Sequence, residues 1–209
     1  MAMLSIFGGL LTLPEPSMAQ PRRIRLIAFG DSLTAGYLLP ARAAFPNVLE
    51  RALKATGLDV EVVNAGVSGD TANGGLDRLD WALGEGADAM ILELGANDML
   101  RGLDPEITYK ALKEIVAKAH EKGLKVLLTG MIAAPGLGRD YEERFNRVFP
   151  RIADEMKISI YPFFLEGVAG RRELQMSDGL HPTAAGVELI VAHILPAVHE
   201  LIGSIVNKQ

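Results

Sequence analysis

The strongest constraint on this chain is a regular alternation of short apolar runs with longer segments of helical periodicity. Five runs of β type, at residues 25–29, 60–63, 89–94, 125–129 and 158–161, are separated by stretches long enough for helices. Strands this apolar must be covered on both faces, which is the condition of a parallel sheet flanked by its crossover helices. Right-handed crossovers then predict a three-layer α/β/α sandwich around a five-stranded parallel sheet.

The intervening segments carry helix signals of their own. Residues 41–56 place Phe45, Val48, Leu49, Ala52 and Leu53 on one face and stop at Gly57. Asp70 or Thr71 caps a helix bearing Leu76, Leu79 and Leu83. Asp104-Pro105-Glu106 supplies a cap, a first-turn proline and an early acid for a helix through Ala119. Residues 141–156 read as one helix. Residues 183–205 read as a closing helix, kinked or interrupted at Pro196.

No repeat or linker interrupts residues 24–205, so residues 21–209 are expected to form one domain. The formal charge of −5 speaks against a polybasic surface for nucleic acid or anionic lipid. The absence of cysteine excludes a thiol nucleophile, disulfides and thiolate metal sites. No uninterrupted apolar run approaches the roughly 20 residues of a membrane-spanning helix. Residues 3–13 are apolar and are followed by Ser17 and Ala19, small residues spaced like a secretory cleavage site. Residues 1–20 therefore read as a leader of a periplasmic or secreted protein. No Lys or Arg precedes the apolar stretch, and the alternative is a cytoplasmic protein with an N-terminal extension packed on the domain.

Ligands in open parallel sheets bind beyond the carboxyl ends of the strands. The polar residues of this chain concentrate there: Gly30-Asp31-Ser32-Leu33 after the first strand, residues 64–70 after the second, Gly95-Ala96-Asn97-Asp98 after the third. The segment past the fifth leads to Asp178-Gly179-Leu180-His181-Pro182. Acyl transfer needs a nucleophile, a base, a group that orients the base, and donors for an oxyanion. Ser32 on a glycine-flanked turn supplies the first. His181, projected from a loop before a proline, supplies the second, and Asp178 can hold its Nδ1. The backbone N–H groups of Ser32 and Gly69 and the side-chain amide of Asn97 are the expected oxyanion donors. Singly, Gly69 and Asn97 also read as turn or cap residues, and Asp178 with His181 as a loop hydrogen bond. His120, His193 and His199 fall within helical patterns and read as surface or packing residues. Ser68, in Gly66-Val67-Ser68-Gly69-Asp70, is a competing nucleophile, although Asp70 breaks the nucleophile-elbow pattern.

The run Phe29-Gly30-Asp31-Ser32-Leu33-Thr34-Ala35-Gly36-Tyr37 resembles the signature block of the GDSL, or SGNH, hydrolase superfamily. Residues 64–70 with Gly69, Gly95-Ala96-Asn97-Asp98, and Asp178 to His181 match three further blocks in the same order. Residues 94–102 are similar to the group of bacterial periplasmic acyl-CoA thioesterase/lysophospholipases and arylesterases. The resemblance implies a flavodoxin-like sheet and metal-free, cofactor-free hydrolysis of acyl or aryl esters, thioesters or lysophospholipids. It maps Ser32, Asp178 and His181 to the triad and Ser32, Gly69 and Asn97 to the oxyanion hole. The partner implied is a small-molecule ester. Met131, Ile132 and Leu137, in the apolar glycine-rich segment after the fourth strand, are expected to wall the acyl pocket. Two alternatives share these residues: a carbohydrate O-acetylesterase, and a metal-dependent phosphoesterase using Asp31, Asp98, Asp178 and His181.

Overall fold

The computed structural model describes residues 23–206; the expected leader at residues 1–20 lies outside them. Five strands, β1 (Ile24–Gly30), β2 (Val60–Gly66), β3 (Ala89–Glu93), β4 (Lys125–Thr129) and β5 (Ser159–Tyr161), form one sheet in the order β2-β1-β3-β4-β5. Every pairing is parallel, with Gly30 of β1 opposite Gly66 on one side and Glu93 on the other. This is the flavodoxin-like order, in which winding reverses beside β1 and opens a crevice there. Leu26, Ile27, Phe29 and all of β3 are buried, as a sheet covered on both faces demands.

The helices are α1 (Ser32–Ala35), α2 (Phe45–Ala55), α3 (Ala72–Ala82), α4 (Ala96–Leu100), α5 (Pro105–Glu121), α6 (Arg139–Asn146), α7 (Val148–Met156) and α8 (Ala184–Val206). α2 packs with α8 on one face of the sheet, and α3, α5 and α7 pack side by side on the other. The caps follow the sequence: Thr71 Oγ1 accepts from Gly74 N, and Asp104 Oδ1 from Glu106 N.

Three expectations change. The helix expected over 41–56 begins as a 3-10 turn at Ala41–Ala43, passes an extended Ala44, and restarts as α2. Continuous helix would drive the Pro46 ring into the Arg42 carbonyl, whereas in the first turn of α2 its missing N–H needs no acceptor. The helix expected over 141–156 divides at Arg147 for the same reason, because Pro150 would oppose the Asn146 carbonyl. By contrast, α8 stays helical across Pro196. α8 is also long and apolar enough, by length and composition, to cross a membrane, despite its scattered polar residues. Its Val187, Ile190, Val191, Ile194, Val198 and Leu201 are buried, and it packs on α2, β4 and β5.

Candidate active site

β1 ends at a glycine because nothing larger fits. A Cβ on Gly30 would meet Thr34 Oγ1 at 2.1 Å and the Glu93 carbonyl oxygen at 2.6 Å. The chain then turns at once into α1, with Asp31 as N-cap: its Oδ1 accepts from Leu33 N at 2.9 Å. Ser32 is thereby the first residue of α1, where a backbone N–H has no intrahelical acceptor. The Ser32 N–H indeed meets no acceptor among the described residues.

The loop between β5 and α8 brings in the base. His181 Nε2 lies 2.9 Å from Ser32 Oγ, although the two residues are 149 positions apart. His181 Nδ1 lies 2.7 Å from Asp178 Oδ2. The other Asp178 oxygen accepts the backbone N–H groups of Leu180, at 2.9 Å, and of His181, at 3.0 Å. These bonds, that to Leu180 first and the imidazole next, hold the Asp178 carboxyl down at about 2. The carboxylate is therefore ionised at neutral pH and sets His181 with Nδ1–H toward itself and Nε2 free to accept from Ser32. The Tyr37 ring lies against the imidazole, with centroids 4.4 Å apart. Ser68 sits in the turn after β2, and the imidazole engages Ser32 instead.

Gly69, at φ +88°, occupies a backbone conformation that side chains disfavour. Its N–H, like that of Ser32, donates to no described group. Asn97 is differently placed. Its Nδ2 donates to Asp31 Oδ2 and to the Asp70 carbonyl, both at 3.0 Å, so both amide hydrogens are engaged. α4 also grips this loop through Asp98 Oδ2, which accepts Ala72 N at 2.8 Å, and Arg101 Nη2, which donates to the Gly69 carbonyl at 2.7 Å. The structure thus brings Ser32, His181, Asp178 and Asn97 to one cleft, with two unspent N–H groups and one amide already bonded.

Two carboxyls lie beneath this cleft. Asp31 and Glu93 are wholly buried side by side, and the Asp31 N–H donates to Glu93 Oε2 at 3.3 Å. Burial pushes Asp31 up to about 6 against the pull of Leu33 N and Asn97, and burial with the neighbouring Asp31 raises Glu93 well above its usual range. Asp98 is raised by burial as well, and its Oδ1 accepts from Thr108 at 3.0 Å. Of the four groups that a metal-dependent reading would use, Asp31, Asp98 and Asp178 are thus already committed to protein donors. Among the described residues no three His, Cys, Asp or Glu side chains form a metal-ligand group.

Beside Ser32 the cleft is lined by Leu33, Met99, Met131, Leu165 and Leu180. It shares Met99, Met131, Leu165 and Leu180 with an adjoining groove of about 400 Å³ between residues 131–135 and 163–180, walled also by Ile132 and Phe163. Of the expected pocket residues, Met131 lines both spaces and Ile132 the groove, while Leu137 is exposed and lines neither. Sequence reasoning missed Tyr37, Met99, Phe163, Leu165 and Leu180. Tyr37, Met99 and Leu180 stand inside or beside the motif blocks, and that adjacency was the only available signal. Phe163 and Leu165 carried none.

Residues 28–189 match the model of the GDSL-like Lipase/Acylhydrolase family. The chain is 37% identical over 167 residues to an arylesterase of Vibrio mimicus, covering 79% of this chain and 84% of the relative. It is 37% identical over 158 residues to the thioesterase 1/protease 1/lysophospholipase L1 of Escherichia coli strain K12, covering 75% and 74%. The crystal structure of TesA superposes with a TM-score of 0.81 at 38% identity, covering 85% of this chain and 99% of that one.

Proposed function

The chain belongs to the GDSL-like lipase/acylhydrolase family, and on that premise we propose that Ser32, His181 and Asp178 carry out its chemistry. The protein is a carboxylic ester hydrolase acting on small-molecule esters. The observation that carries the residue assignment is the unbroken relay from Ser32 Oγ to His181 at 2.9 Å and from His181 to Asp178 at 2.7 Å.

In the proposed cycle Ser32 Oγ attacks the acyl carbon while Nε2 of His181 takes its proton. Asp178, ionised throughout, stabilises the imidazolium. The oxyanion settles on the N–H groups of Ser32 and Gly69, which have no acceptor among the described residues to abandon. The Asn97 hydrogen held by the neutral Asp70 carbonyl turns partly toward the oxyanion, while its bond to Asp31 stays. His181 then protonates the departing alcohol or thiol, and water repeats the sequence to release the acid.

The apolar groove favours acyl esters, acyl thioesters and lysophospholipids over acetylated carbohydrates, because an acetyl group would leave its walls unused. Export is proposed as well, supported by the apolar stretch at residues 3–13 and the small residues at 17 and 19; fractionation of the native host tests it, with the enzyme expected outside the cytoplasm. The central test is hydrolysis of p-nitrophenyl esters of increasing acyl length by the wild type and by Ser32→Ala. Turnover should vanish in the variant while its circular dichroism stays unchanged. Retained turnover would remove Ser32 from the mechanism.

A further inference from the structure

The cleft stands on two carboxyl groups that the cycle above does not use. Glu93 ends an otherwise apolar β3, opposite Gly30 in the register, so its side chain lies under the turn that carries Ser32. Its Oε2 accepts from Thr34 Oγ1 at 2.8 Å and from the Asp31 N–H at 3.3 Å, while its Oε1 is buried and receives no hydrogen bond from the described residues. Asp31 Oδ1 accepts from Leu33 N and its Oδ2 from Asn97 Nδ2. Among the described residues no Lys, Arg or His donates to either carboxyl. The Arg78 guanidinium, which reaches the Gly30 carbonyl, is spent on Asp70 and on the Ala65 and Gly30 carbonyls, and His181 faces Ser32.

Two negative charges buried side by side, with no cation among the described residues bonded to either, are not sustainable; one proton between them is. The donors decide where it sits. Asp31 has an N–H donor on each oxygen and is the better anion. Glu93 has an oxygen with none and is the better acid. We propose that Asp31 and Glu93 form a proton-sharing pair, in which neutral Glu93 donates to the Asp31 carboxylate and Asp31 acts as a positioning residue for Asn97 and the Ser32 turn. This inference rests on the assignment of Ser32 and Asn97 to ester hydrolysis. Its chemical content is an asymmetry. One Asp31 oxygen caps the helix that presents the nucleophile, the other sets the amide plane of Asn97, and a single charge serves both. Glu93 supplies the hydrogen bond that keeps this charge in place.

The asymmetry is testable with two isosteric variants. Gln at 93 still donates to Asp31, so Glu93→Gln should keep kcat within about threefold of wild type. Asn at 31 has one oxygen for two donors, so its own amide must face either Leu33 N or Asn97 Nδ2. Asp31→Asn should therefore lower kcat about 100-fold with KM nearly unchanged, as expected when a transition-state donor is turned away. Infrared spectra of the wild type at pH 7 should contain the C=O stretch of a protonated carboxylic acid, absent in Glu93→Gln. That measurement does not depend on turnover or on the folding of Asp31→Asn. A Glu93→Gln variant as impaired as Asp31→Asn, or a wild type without the acid band, would overturn the proposal. Residual turnover in Ser32→Ala would instead refute the catalytic assignment, and the acid band would still report on the pair.

Discussion

Truncating Asn97 to alanine separates two jobs that the structure gives one amide. As a loop tie, Nδ2 makes two hydrogen bonds, to the buried Asp31 carboxylate and to the Asp70 carbonyl. A bond to a charged group contributes about 1.5–3 kcal/mol and one to a neutral carbonyl about 1 kcal/mol. The expected loss of stability is therefore roughly 2–4 kcal/mol, and for a chain of this size a Tm lower by roughly 5–15 °C. As an oxyanion donor, the same group should contribute about 3 kcal/mol to the transition state alone, or about 10²–10³ in kcat. The ground-state carbonyl uses this donor little, so KM should move by less than about threefold. The assay is steady-state hydrolysis of a p-nitrophenyl ester at a temperature well below the melting point of the variant, with calorimetry beside it. A lowered Tm together with kcat within about fivefold of wild type would refute the catalytic part. Asn97 would then be only a tie between α4 and the loop after β2, and Ser32 and Gly69 would form the oxyanion hole alone.

Other outcomes follow from the same geometry. Asp178→Asn leaves one oxygen where three donors converge, so kcat should fall by about 10²–10⁴ with the fold retained; a loss below tenfold would show that His181 needs no carboxylate. The carboxyl of Asp178 sits at about 2, below its unfolded value of 3.8, so its contribution to stability is present above about pH 4 and fades as the pH falls toward 2. The Tm difference between wild type and Asp178→Asn should shrink over that interval, and a constant difference would contradict the shift. Gly69→Ala meets no obstruction, since the nearest atom to a built Cβ is Arg101 Nη2 at 3.9 Å. Its penalty is conformational, about 1–2 kcal/mol at φ +88°, and kcat should drop at least tenfold as the N–H swings away; unchanged kcat would dismiss Gly69 as a donor. Leu165→Trp should fill the groove and shift the optimum of the p-nitrophenyl series to shorter acyl chains. In the wild type each added CH₂ should raise kcat/KM by up to about fourfold, the equivalent of ~0.8 kcal/mol; identical chain-length profiles would place the acyl group elsewhere.

Much of this molecule is readable in local pattern. Runs such as residues 89–94, buried on both faces and divided by amphipathic segments, leave a parallel sheet with helices on both sides as the way to cover them. Caps such as Asp104 and Thr71 are local hydrogen bonds, so they too were visible. Ser32, Gly69, Asn97, Asp178 and His181 were legible as candidates because each follows a strand, all strands of a parallel sheet end on one side, and the motif blocks fall there. Local pattern overstated helix continuity at Pro46 and Pro150, where a ring against a preceding carbonyl outweighs apolar periodicity. It also passed over α1 and α4, which are too short to show a period.

Only the tertiary structure decides the rest, because it depends on what lies opposite in space. The approach of Nε2 to Ser32 Oγ joins residues 149 apart, and the groove draws Met99, Met131 and Leu165 from three separate segments. Leu137 has the right polarity for a pocket wall and still points away from it. Glu93 stood in the sequence as one acid in an apolar strand; its partner Asp31 is 62 residues away and meets it only because β1 and β3 are neighbours in register. Apolar periodicity encodes which faces are buried. The desolvation that makes a buried carboxyl hold its proton depends on every atom around it, and no local window of sequence contains those atoms.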